Sequence, residues 1–137
     1  MSEPQPQGPT FLASLVSAGF PSPGDDLEGS LIDTNQLIVK NPSATFFMRV
    51  KGVSMKDAGI YEDDIVVVDK SLTARNGDTV VAVINDNYTL KRLSFDNGAA
   101  VLQAANEDFS DITPSGEEEL RIWGVVTFVL RSMRPAK

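Results

Sequence analysis

Neither cysteine nor histidine occurs anywhere in the 137 residues. The first absence removes a disulfide framework, a thiolate zinc site and a cysteine nucleophile. The second removes Ser–His–Asp and Cys–His catalysis, together with every histidine metal site. Acid–base chemistry near neutral pH therefore falls to a carboxylate, a lysine or a tyrosine in a perturbing environment. Positive charge is also scarce. Twelve Lys and Arg against 19 Asp and Glu give a net charge of −7. A surface of that sign repels phosphate, so direct nucleic-acid binding is not expected and any DNA-related role would run through protein partners. Long greasy runs are missing too, so no membrane span is expected. Val16-Ser17-Ala18 has the small residues of a signal-peptidase site. However, Ser14 and Ser17 interrupt the apolar stretch, and Glu3, with no Lys or Arg, precedes it. A cytoplasmic protein is expected.

What is present reads as one domain behind a loose arm. Residues 1–10 (MSEPQPQGPT) are rich in proline and polar residues and lack periodicity, so they are expected to be loosely attached. Residues 11–18 suit one helical turn or a strand. Gly19 to Asp26 holds two prolines and two glycines, which break any regular element. The segment Leu31–Val39 suggests a short helix starting at Asp33. From Thr45 the pattern turns to β. Strands are expected at 45–51, 65–69, 79–84, 88–93 and 100–104, with turns at Asn85-Asp86-Asn87 and Asp96-Asn97-Gly98. Leu120–Leu130 is the strongest apolar stretch, a long strand or strand pair with Gly124 at a bend or bulge. The fold class expected is mainly β: a small, strongly bent antiparallel domain.

Two residues attract chemical interest. Ser54 follows a predicted strand and Gly52, which permits a sharp turn that would leave the N–H groups of Val53 and Ser54 pointing outward. That display suits a nucleophile with its own oxyanion donors. Ser54-Met55-Lys56-Asp57 equally fits a helix capping box. Lys91 lies mid-strand, on the same face as Thr89 and Leu93 by alternation, and is the lysine best placed to serve as a base. It would have to be neutral, which demands a dry site. It equally fits a solvated charge on an edge strand. The acidic groups Glu62-Asp63-Asp64 and Glu117-Glu118-Glu119 lack metal-loop spacing and read as solvated turns, so no metal and no cofactor are expected.

A series of motifs, in order, resembles the UmuD family of self-cleaving proteins. Ser17-Ala18-Gly19-Phe20-Pro21-Ser22-Pro23 is similar to that family's cleavage region. Asn41-Pro42-Ser43-Ala44-Thr45-Phe46-Phe47 resembles the entry to its catalytic domain. Gly52-Val53-Ser54-Met55 with Gly59-Ile60 resembles the G-x-S-M nucleophile motif shared with LexA and phage repressors. Asp63 to Asp69, Leu72-Thr73-Ala74, Gly77-Asp78, Thr89 to Leu93 and Trp123 to Val126 continue the likeness across roughly residues 11–131. This chain departs from the pattern in having Ala18 where relatives often have Cys, and Val53 where they have Asp or Ser.

The resemblance implies a LexA/UmuD-type catalytic fold with a flexible N-terminal arm. It implies Ser54 as nucleophile, Lys91 as general base, an oxyanion hole from the backbone of Val53 and Ser54, and a scissile bond between Ala18 and Gly19. Residues 1–18 would be removed, 19–44 would form an arm, and 45–137 would form the catalytic and dimerisation domain. It further implies activation by a RecA filament on single-stranded DNA. The cut homodimer would pair with a UmuC-type polymerase for error-prone translesion synthesis in the SOS response, with replicative polymerase subunits as further partners. A non-catalytic polymerase accessory of the same fold is the alternative. A repressor would need a helix-turn-helix domain, for which residues 1–18 are too short, and a leader peptidase would need a membrane anchor.

Overall fold

The computed structural model describes residues 9–12, 16, 18–19, 29–52, 55–103 and 120–134. The chain divides into two units, Met1–Lys40 and Asn41–Lys137. Among the described residues, no helix is long and apolar enough to cross a membrane.

The first unit contains a two-stranded antiparallel ribbon and one short helix. Strand β1 (Thr10–Leu12) pairs with β2 (Gly29–Leu31), and Ile32 N donates to Pro9 O at 2.9 Å to extend the ladder. Thr10 thus belongs to a paired strand and not to loose chain. Strand β2 had no sequence signal, because Gly29 and Ser30 are poor strand formers and its pairing comes from the partner. Helix α1 (Thr34–Ile38) starts where the sequence suggests: the Asp33 carboxylate accepts from Asn35 N at 2.9 Å.

The second unit is an antiparallel sheet of six strands in the order β3-β4-β8-β5-β6-β7. These are β3 (Thr45–Arg49), β4 (Ile65–Asp69), β5 (Thr79–Ile84), β6 (Asn87–Asp96), β7 (Ala99–Gln103) and β8 (Leu120–Leu130). Two tight hairpins join β5 to β6 and β6 to β7. Their turn residues, Asn85-Asp86 and Asn97-Gly98, all have positive φ, the geometry that matches the natural twist of paired strands.

The near-continuous apolar runs of β4 and β5 suit strands covered on both sides. In β5, Val81 joins a cluster with Val50, Met55, Ile60, Val66 and Val68, while Val80 and Ala82 join another with Leu93, Leu102 and Val125. The two clusters follow the alternation of successive side chains along β5. Strand β8 slips in register against β4 near Thr127 and against β5 near Trp123. Gly124 lies between the slips. A Cβ there would fall 2.6 Å from Val68 Cγ1, so only glycine lets β8 approach β4 so closely.

Candidate active site

The segment between β3 and β4 carries the candidate nucleophile. Val53 and Ser54 lie outside the described residues, but the chain on both sides is fixed. On the near side, Val50 is buried and exchanges backbone bonds with the opposing turn, N to Asp64 O at 2.8 Å and O from Asp63 N at 2.9 Å. Gly52 has φ 92°, in the left-handed region where a side chain is strained. On the far side, Met55 is buried in the first core cluster. Its carbonyl accepts from Ala58 N at 3.0 Å and from Ile60 N at 3.2 Å. The 3-10 turn Lys56–Ala58 has Met55 at its cap position, with no side-chain cap bond. The capping-box reading had put Ser54 at that position. The turn starts one residue later than that pattern requires.

Lys91 occupies an interior strand. Strand β6 lies between β5 and β7, with Lys91 opposite Val80 on β5, and the residue is only 5% exposed. The alternative of a solvated edge-strand charge is therefore overturned.

A cleft of about 220 Å³ opens between these two regions. One wall is formed by Arg49, Lys51, Gly52 and Met55, the residues flanking Val53 and Ser54. The other is formed by Tyr88, Thr89 and Leu90, which Lys91 directly follows in β6. Val66 and Val81 line it as well, so it has an apolar interior and a polar rim. Tyr88 also packs edge-on against Trp123, with centroids 5.9 Å apart, and Phe46 stacks on the same indole at 5.3 Å.

Ala18 and Gly19 belong to the other unit and are exposed at a bend, with Gly19 at φ 127°. Val16, two residues before Ala18, is 96% exposed. Both residues of the candidate bond face solvent.

Two buried carboxylates, which the sequence pattern does not mark, stand at opposite ends of β4. Glu62 and Asp63 are exposed, as a solvated turn requires, but Asp64 is only 2% exposed. Its two oxygens accept from Arg131 Nε at 2.7 Å and Nη2 at 2.6 Å, and Oδ2 also accepts from Tyr61 N at 2.8 Å. The Arg131 bonds, with the Tyr61 amide, outweigh desolvation and hold the Asp64 carboxyl below the usual carboxylate range. Asp69 is buried too. Asn41 Nδ2 donates to it at 2.8 Å, and Ser71 adds two bonds; these likewise hold its pKa down. Both aspartates directly flank the apolar run of β4, which was the one available hint of their burial. Among the described residues, no cluster of acidic side chains is arranged to hold a metal ion.

Residues 10–127 match the Peptidase S24-like family. The chain is 43% identical over 122 residues to protein MucA of Salmonella typhimurium, covering 88% of this chain and 82% of MucA. It is 37% identical over 125 residues to protein ImpA of Shigella flexneri, covering 90% and 84% of the two chains. The LexA repressor of Shewanella woodyi is 43% identical over 93 residues, which is 67% of this chain but only 45% of the repressor. The chain belongs to the Peptidase S24-like family of self-cleaving serine peptidases, among its UmuD-type members.

Proposed function

We propose that this chain cuts its own Ala18–Gly19 bond through a Ser54–Lys91 dyad, and that the product serves error-prone DNA synthesis in the SOS response. The observation that carries the reading is Lys91, buried on an interior strand. It is next in sequence to Tyr88, Thr89 and Leu90, which line a cleft whose other wall is formed by residues on both sides of Val53 and Ser54. Family membership supports the reaction class.

In this reading neutral Lys91 Nζ takes the Ser54 Oγ proton as the oxygen attacks the Ala18 carbonyl carbon. The N–H groups of Val53 and Ser54 stabilise the developing oxyanion. As the C–N bond breaks, Lys91 returns the proton to the Gly19 nitrogen. A water molecule, deprotonated by Lys91, then hydrolyses the Ser54–Ala18 ester. Small residues on both sides of the bond let the substrate strand lie close to the nucleophile. Activation by a RecA filament on single-stranded DNA, a homodimer of residues 19–137, and partnership with a UmuC-type polymerase belong to the same proposal, with replicative polymerase subunits as further partners. They rest on the resemblance to UmuD. The net charge of −7 fits a role that reaches DNA through proteins.

The test is intact mass spectrometry of the purified chain incubated with an activated RecA filament, alongside Ser54→Ala and Lys91→Ala. A single break at Ala18–Gly19 in the parent alone is the expected result. An uncut parent, with the filament processing a known substrate, would favour a non-catalytic polymerase accessory. A break elsewhere would keep the peptidase and discard Ala18–Gly19.

A further inference from the structure

Arg131, immediately after β8, reaches back to the segment that carries Ser54. Its Nη2 donates to Gly59 O at 2.6 Å as well as to Asp64, and its guanidinium carbon lies 4.6 Å from the Tyr61 ring centroid. One planar cation thus holds three points of the return turn, Gly59, Tyr61 and Asp64. The Gly59 contact matters most for the site. Gly59 O belongs to the same peptide plane as Ile60 N, and Ile60 N donates to the carbonyl of Met55, the residue that follows Ser54. A trans peptide is rigid and points its C=O and N–H in opposite directions. The guanidinium therefore grips one edge of the plane while the other edge holds Met55. Hydrogen bonds in such a chain also polarise one another.

We infer that Arg131 is a positioning residue for self-cleavage, setting Ser54 through the Gly59–Ile60 peptide as a strut. This rests on the Ser54–Lys91 reading above. No local pattern marks this role, because an arginine after a terminal strand looks like any solvated charge. Nη2 alone bridges Gly59 and Asp64, so a lysine ammonium can keep part of that link, but it cannot add the second bond that Nε makes to Asp64.

Three variants test the strut: Arg131→Gln, Arg131→Lys and Asp64→Asn. Cleavage in trans of a Ser54→Ala substrate chain is followed to separate kcat from KM. The rate at which a fluorophosphonate labels Ser54 reports the nucleophile without any substrate. Arg131→Gln is expected to lose about 10- to 100-fold in kcat and in labelling with KM little changed, the size of effect that slight misplacement of a reacting group produces. Arg131→Lys should recover part of that loss. Asp64→Asn keeps the Gly59 contact and should lose only a few-fold in kcat, even where its urea midpoint falls as far as that of Arg131→Gln. Equal losses of kcat in Asp64→Asn and Arg131→Gln would overturn the strut and leave a clamp that only stabilises the fold. Parental kcat and labelling in Arg131→Gln would overturn it outright. Self-cleavage by Ser54→Ala, in contrast, would remove the dyad reading itself, and the strut with it.

Discussion

At Lys91 the requirement is a nitrogen that can give up its proton, and arginine tests it most sharply. Guanidinium keeps its charge in proteins and cannot accept a proton. Lys91→Arg should abolish cleavage at Ala18–Gly19 on the mass-spectrometric assay, and normal processing would remove Lys91 from the mechanism. Asp64 makes a different prediction. Its folded pKa lies below that of the unfolded chain, so the carboxylate adds stability above the unfolded value of about 3.9. That contribution is lost as pH falls through the lower folded value. The urea midpoint should therefore drop as pH is lowered below about 4, and Asp64→Asn should flatten that slope. Asp69 shifts in the same direction, so some slope should persist. Local sequence does not separate Asp64 from its acidic neighbours. Glu62, Asp63 and Asp64 are of one chemical kind, yet the first two face water and the third is buried, because Asp64 is the point where the exposed turn meets the inner strand β4.

Among the elements, β8 is held on both sides, pairing with β4 and β5, and its register slips against each. Gly124→Ala would drive a methyl group toward Val68 Cγ1 and the carbonyl of Asp69. Overpacking of this kind costs about 1–3 kcal/mol, readable as a lower midpoint in urea or heat. An unchanged midpoint would mean that β8 can slide in its register. The unusual character of Gly124 was legible in the sequence, as were β4, β5, both hairpins and the start of α1. Each of these carries local chemistry: β-branched runs, Asn-Gly and Asn-Asp turns, a capping aspartate. Strand β2 was not legible, because its pairing is imposed by β1 rather than by the preferences of Gly29 and Ser30. The order β4-β8-β5 was equally hidden, since β8 enters between two strands far from it in sequence.

For the whole molecule, the candidate site was legible only as a list of parts. Ser54 and Lys91 could be named from their motifs, but each had an ordinary structural alternative until the turn placed Met55 at the cap and β6 proved to be an interior strand. The burial that makes Lys91 interesting comes from packing across β5, which no local pattern encodes. The β1–β2 ribbon has a consequence for the fate of the cut. Its two strands lie on opposite sides of Ala18–Gly19, held by a ladder only three residues long. In the intact chain the strands share one tether and meet at an effective concentration on the order of millimolar. Hydrolysis removes that tether, and a short two-stranded ribbon is marginal in water. At micromolar protein, residues 1–18 should leave the product within the time of a size-exclusion run, and a fragment that co-elutes would show a firmer grip than the ribbon gives. If the chain is cut as proposed, dilution of the released peptide would keep β1 from pairing with β2 again.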